Sequence, residues 1–235
     1  MQDSWDRSNR GYGECQRCGA MLIVSGLADP SDRNSELFYP CDVCPSVATA
    51  TPDSEPEFVQ RSRIPLRYAE VRIEGWEPAG GEPRGVVELF VSSWPPPLPI
   101  LLLTGSSGTG KTHLAIGIMR RFHEEHGVGA RFWPVVELLE RFRGTFDDAR
   151  ATETLESIKA EMRRLHLLVL DDFGAHKSTE WAEERLFDLI DERYRDRRPL
   201  IVTTNLTVAD LPPRLKSRLA SGMIALFEGA DRRLA

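Results

Sequence analysis

The run Gly105-Ser-Ser-Gly-Thr-Gly-Lys-Thr112 satisfies the spacing GxxxxGK[ST]. Glycines at 105, 108 and 110 let a backbone curl so that its amides point inward, and Ser106, Ser107 and Thr109 complete the curl. Such a loop cradles phosphates when a strand precedes it and a helix follows, because the helix N-terminus adds further amides and its dipole. Lys111 would bridge the β- and γ-phosphates of a nucleoside triphosphate, and the Thr112 hydroxyl would hold magnesium. His113 follows on the first turn of the helix. The expected ligand is ATP with magnesium. A glycine-rich turn that happens to precede a lysine is the bland alternative.

Further along, Leu167-Leu-Val-Leu-Asp-Asp172 is an apolar strand ending in paired carboxylates. Open α/β sheets put their ligands at that edge, so Asp171 would complete the magnesium shell and Asp172 would orient or deprotonate a water. Asp172 is one methylene shorter than the glutamate common at such a position. Thr203-Thr-Asn205 ends another strand, and Asn205 could stand between Asp172 and the terminal phosphate. Arg214 and Arg218 are four residues apart, on one face of a helix over 211–220. On spacing alone that face reads as a solvated basic surface. An arginine there could also reach a neighbouring subunit's γ-phosphate and stabilise the transition state.

A second kind of chemistry sits near the N-terminus. Cys15, Cys18, Cys41 and Cys44 are the four cysteines of the chain, arranged as two CxxC pairs with 22 residues between them. Two such knuckles can present four thiolates to one zinc ion. Two disulfides, a redox pair and free thiols are the alternatives. A cytosolic setting argues against disulfides, and no βαβ pattern surrounds either pair.

The elements that must position these groups divide the chain into three. Residues 1–46 hold the cysteines and few apolar residues, so zinc would supply stability that so small a segment lacks. Residues 47–60 read as a flexible linker, and 61–235 as alternating strands and helices. Ile100–Thr104, Ala130–Val135, Leu167–Leu170 and Leu200–Thr204 read as strands. Helices are expected from Lys111 to about Glu125, near Val136–Arg143, over Glu153–Leu165, and around Trp181–Tyr194. Strands separated by helices imply an α/β fold with a parallel three-layer sheet.

At 235 residues and 41% hydrophobic, the composition is that of a globular chain, and the formal net charge of −6 makes it no polycation. A local basic face could still meet nucleic acid. No apolar run approaches the roughly 20 residues of a membrane span, and the N-terminus has no secretory pattern. The expected location is cytoplasmic, with no membrane partner.

Gly-Thr-Gly-Lys-Thr-His-Leu-Ala at 108–115, Leu-Val-Leu-Asp-Asp-Phe-Gly at 168–174, Thr-Thr-Asn at 203–205 and Leu-Lys-Ser-Arg-Leu at 215–219 resemble the DnaC/IstB-type AAA+ ATPases. Those proteins are replicative helicase loaders and transposase helpers. Arg63-Ile-Pro-Leu-Arg-Tyr68 resembles the segment leading into their nucleotide site. The resemblance covers about 60–235 and implies an AAA+ fold without a C-terminal lid domain, preceded here by the zinc-knuckle region. It further implies ATP hydrolysis, self-assembly on ATP binding, single-stranded DNA, and a replicative helicase or a transposase as partner. By carry-over Arg218 becomes the trans-acting arginine finger, with Arg214 second. Gly229-Ala-Asp-Arg-Arg-Leu234 is similar to the family's closing segment and nominates Arg233 as a second sensor. A small-molecule kinase and a zinc-knuckle DNA-binding adaptor with a structural ATP site are readings from other classes.

Overall fold

The computed structural model describes residues 10–14, 21–25, 55–76, 83–147, 153–176, 179–229 and 231. The chain forms two units, Met1–Ala48 and Thr49–Ala235. In the first, β1 (Arg10–Glu14) and β2 (Met21–Ser25) pair antiparallel, from Arg10 opposite Ser25 to Glu14 opposite Met21.

The second unit is a parallel sheet with helices on both faces. Its strands are β3 (Ile100–Gly105), β4 (Ala130–Pro134), β5 (Leu167–Phe173), β6 (Leu200–Thr204) and β7 (Met223–Phe227), in the spatial order β4-β5-β6-β3-β7. The central strands are apolar on both sides because both sides are covered. Leu101, Leu103, Leu167, Val169 and Ile201 face one core, and Ile100, Leu102, Leu168, Leu170, Leu200 and Val202 face the other. The first core is closed by α1 (Glu55–Arg61), α2 (Pro83–Phe90) and α3 (Lys111–His126). The second is closed by α4 (Val135–Asp147), α5 (Leu155–Arg164), α6 (Glu180–Arg195) and α7 (Pro213–Leu219). The expected α/β three-layer parallel architecture is therefore present.

Local signals start these helices. Thr154 and Ser157 form a reciprocal capping box on α5, and the Thr179 side chain accepts from the Ala182 amide at the start of α6. Gly127, at φ 62, ends α3 with its amide on the His123 carbonyl.

Two elements differ from the sequence reading. The linker expected through residue 60 contains α1, whose Phe58 and Val59 are buried, with the Phe58 ring stacked 4.1 Å from His123. Its prolines and acids masked a two-residue apolar stripe, so the second unit's ordered structure begins before residue 61. The strand β7 was not anticipated. Met223-Ile-Ala-Leu-Phe227 lies on an edge with Leu226 half exposed, and its short run follows a helix with only Ser221 and Gly222 as punctuation.

The sheet's end away from the phosphate loop depends on Arg193. This guanidinium is 1% exposed and donates to the carbonyls of Met162, Leu165, His166 and Pro199. Burial and the nearby Arg198 pull its pKa down to about 9, so it keeps its charge at neutral pH. It thereby joins the end of α5 to the starts of β5 and β6. Arg193→Leu leaves four carbonyls without that donor; at about 1–3 kcal/mol per orphaned buried group, the loss should exceed about 3 kcal/mol in urea denaturation. His166 lies partly buried beside Arg193 and Arg198, and burial, then these cations, hold its pKa below the ordinary 6.5. The unfolded chain binds this proton more readily than the folded one, so stability falls as pH drops below 6.5. His166→Asn should make that decline shallower in unfolding curves recorded on either side of the transition.

Candidate functional site

Chain direction alone brings the candidate residues together. In a parallel sheet the C-terminal ends of β3, β5 and β6 share one edge. The loop after β3, the carboxylates ending β5 and the Thr203-Thr-Asn205 run ending β6 therefore meet there. They line a cleft of about 400 Å³ with Ser107, Gly108, Gly110, Lys111, Thr112, His113, Asp171, Asp172, Thr203 and Asn205 on its walls. That volume suits a small-molecule ligand.

The loop holds itself open. Gly110 caps α3 at φ 97 with no side-chain hydrogen bond, so the first amides of the helix are left for a ligand. Lys111 is buried, and its Nζ donates to the carbonyls of Gly105 at 2.8 Å and Ser106 at 2.6 Å. Thr109 Oγ1 donates to the same Ser106 carbonyl. Asp231 stands against this loop, since a Cβ on Gly108 would lie only 1.7 Å from its Oδ1. The chain beyond β7 thus returns to the phosphate loop.

Asp171 is the junction of the site. Its Oδ1 accepts from Thr112 Oγ1 at 2.8 Å and from Thr203 Oγ1 at 2.7 Å. Burial raises its pKa above the ordinary carboxylate value and neighbouring Asp172 adds to this, against the two hydroxyls and the Arg67 charge. A hydroxyl and a buried carboxylate, both hard oxygen donors, fit a magnesium ion.

Asp172 owes its position to a bulge. Leu170 pairs with Val202 and Phe173 with Thr204, so β5 carries one more residue than β6 across this interval. Asp172 takes up the extra length at φ 57, in the left-handed region that aspartate tolerates better than most residues. Its amide, freed from the ladder, donates to Thr203 Oγ1 at 2.9 Å. Its exposed carboxylate accepts from Asn205 Nδ2 at 3.3 Å. Asn205 thus sits beside Asp172, as its place at the strand tip suggested.

Three wall residues were not among the sequence candidates: Arg67, Tyr68 and Trp76. They come from the segment between α1 and α2, which Arg120 on α3 anchors by donating to the carbonyls of Val71 and Ala69. Close packing sets their depth, because a Cβ on Gly117 would lie 2.9 Å from the Ile73 amide nitrogen. Only the likeness of 63–68 to a lead-in segment hinted at Arg67 and Tyr68; nothing local marked Trp76. Thr203 lay inside the quoted Thr-Thr-Asn run without an assigned role.

Neither Arg214 nor Arg218 lines this cleft. Arg218 Nε donates to Asp191 Oδ1 at 2.6 Å, and its guanidinium lies 5.1 Å from the Tyr194 ring centroid. It is thus tied to α6 rather than freely solvated. Arg214 borders a separate groove with Glu180, Glu183 and Glu184 of α6. Cys15, Cys18, Cys41, Cys44 and Arg233 lie outside the described residues. Among the described residues, no helix is long and apolar enough to cross a membrane.

Comparison with known proteins places this geometry. The family model described as IstB-like ATP binding protein matches residues 72–223. The chain is 29% identical over 127 residues to the uncharacterized protein YqaM of Bacillus subtilis (strain 168), covering 51% of this chain and 39% of that one. The crystal structure of the DnaC helicase loader aligns with TM-score 0.57 and 25% identity over 70% of this chain and all of that chain. The replication initiator DnaA bound to AMPPCP and single-stranded DNA aligns with TM-score 0.58 and 19% identity, covering 68% of this chain and half of that one. The chain spans well under half the length of the curated relative and half of the initiator. A P-loop at the end of β3, carboxylates at the tip of β5 and a model covering more than half the sequence agree: the chain belongs to the IstB-like ATP binding proteins, with the α/β fold of P-loop AAA+ domains.

Proposed function

We propose that this protein hydrolyses ATP at the cleft between β3, β5 and β6, and that it uses the cycle to load or remodel a replicative DNA helicase on single-stranded DNA. The observation that carries the hydrolytic part is the shared geometry of Thr112, Asp171, Asp172, Thr203 and Asn205. The similarity to a protein named as a helicase loader supports the partner, and the fold shared with a DNA-bound initiator supports the DNA.

In this reading the amides of 105–112 wrap the phosphates, and Lys111 exchanges its two loop carbonyls for β- and γ-phosphate oxygens. Magnesium, held by Thr112 and Asp171, supplies charge neutralisation when bound. Asp172 orients the attacking water and takes its proton, and Asn205 fixes the Asp172 carboxylate. The water oxygen bonds to the γ-phosphorus as the bond to the bridging oxygen breaks, giving ADP and phosphate. Arg67, exposed on the cleft wall near Asp171, adds positive charge on the phosphate side.

The other half of the site comes from a second subunit. Arg218 lies away from its own cleft, and its ion pair with Asp191 engages Nε, so the terminal amino groups can still fork onto a neighbour's γ-phosphate. Arg214 is second in this role, and Arg233 acts as a second sensor. The cysteines form a zinc knuckle over 1–46, with the first pair lying in sequence between β1 and β2. The protein then works in the cytoplasm as an ATP-dependent homo-oligomer. The same site would equally serve the ATPase helper of a transposase, the other activity that the motif resemblance implies.

Lys111→Ala should abolish ATP binding, and Asp172→Asn should bind ATP while hydrolysing it about 10²–10⁴-fold more slowly, as measured by phosphate release. Arg218→Ala should bind ATP normally but lose hydrolysis, with part of the activity restored on mixing with Lys111→Ala; weak ATP binding by Arg218→Ala alone would remove it from the neighbour's site. Recovery with Asp172→Asn as bait should distinguish the two partners: a helicase retained with ATP and single-stranded DNA supports loading, and a transposase supports the second reading. Zinc measured on the purified chain should be stoichiometric and lost in Cys41→Ser/Cys44→Ser, and a folded, metal-free native chain would end the knuckle.

A further inference from the structure

The cleft wall combines two chemically different sets of residues. The loop, the carboxylates and Asn205 make up one, and Arg67, Tyr68 and Trp76, from the segment between α1 and α2, make up the other. Trp76 is 6% exposed, and its Nε1 has no hydrogen-bond partner among the described residues. Two other buried indoles share that state, but Trp94 packs in the core and Trp133 lies beneath the guanidiniums of Arg63 and Arg141. Of the three, Trp76 alone borders the cleft.

The indole is also directed. A Cβ on Gly110 would find Nε1 at 3.7 Å and Cδ1 at 3.9 Å as its nearest neighbours, so the N–H edge faces the start of α3. The Phe227 ring, 5.9 Å away and tilted by 51°, lies against the indole. The Arg120 and Gly117 contacts described above fix the segment that carries it. Burying an N–H without an acceptor forfeits the hydrogen bond it made to water, and a bound ligand that accepts from it can restore that bond.

We infer that Trp76 is a specificity residue of the nucleotide site, its indole N–H donating to a ring nitrogen of the purine base. The assignment rests on the ATP reading above and adds to it the group that recognises the base. The phosphates have their own donors in the loop and Lys111, while a flat purine suits a wall that offers Tyr68 and Trp76. An indole has one N–H and no acceptor, so it selects an unprotonated ring nitrogen.

The test compares the full-length wild type with Trp76→Phe, which keeps an aromatic ring and removes the donor. Dissociation constants are measured for ATP, for 1-, 3- and 7-deaza-ATP, and for 2′-deoxy-ATP and 3′-deoxy-ATP, with thermal unfolding of both proteins as a check on folding. Trp76→Phe should weaken ATP binding about 3- to 10-fold. One deaza analogue should lose a similar factor on the wild type and almost nothing further on the variant. Such coupling would not arise from a merely structural change. Equal ATP binding by both proteins, or uniform weakening across all analogues, would overturn the assignment. Coupling to a deoxyribose analogue alone would also overturn it, by moving the donor to the sugar. If the folded wild type bound no ATP at all, the triphosphate reading would fall and this assignment with it.

Discussion

The buried carboxylate of Asp171 is the constraint on which the site depends. One oxygen accepts two hydroxyls, Thr112 from α3 and Thr203 from β6, while the residue itself lies near the C-terminal end of β5. Three elements distant in sequence are thereby fixed to within hydrogen-bond length of one atom. The glycine-rich loop and the strand tips that line the cleft share one reference point. A carboxylate that is both buried and next to Asp172 is electrostatically incomplete, and two neutral hydroxyls offset this only in part. A hydroxyl and a carboxylate held together in this way fit the oxygen-donor chemistry of the magnesium proposed above.

Legibility in the sequence follows the range over which each feature is encoded. The phosphate loop is specified within contiguous residues, because its glycines and the helix start that follows set its backbone without help. The three central strands β3, β5 and β6 declare themselves as apolar runs because both faces are buried. The edge strand β7 exposes Leu226 and interleaves Ala225, so its signal is diluted. The helix α1 was hidden by its proline and acids, although Phe58 and Val59 carry its contribution to the core.

Tertiary packing decides what sequence spacing cannot. Arg67, Tyr68 and Trp76 reach the cleft only because Arg120 holds their segment and Gly117 lets it lie on α3. Similarly, four-residue spacing put Arg214 and Arg218 on one face but could not reveal Asp191 and Tyr194 waiting on α6. A basic helix face and an oriented guanidinium read identically until the facing helix is known.

The bulge in β5 has a consequence for the identity of the residue it displaces. Asp172 sits at φ 57, a left-handed conformation that costs L-residues about 1–2 kcal/mol and that aspartate, with its short polar group, tolerates better than a longer unbranched side chain. A glutamate would extend the reach by one methylene but forfeit that backbone tolerance. The bulge and the short side chain thus occur together at this one position. Backbone path and residue type are therefore a matched pair, and a lineage exchanging one would have to rebuild the other.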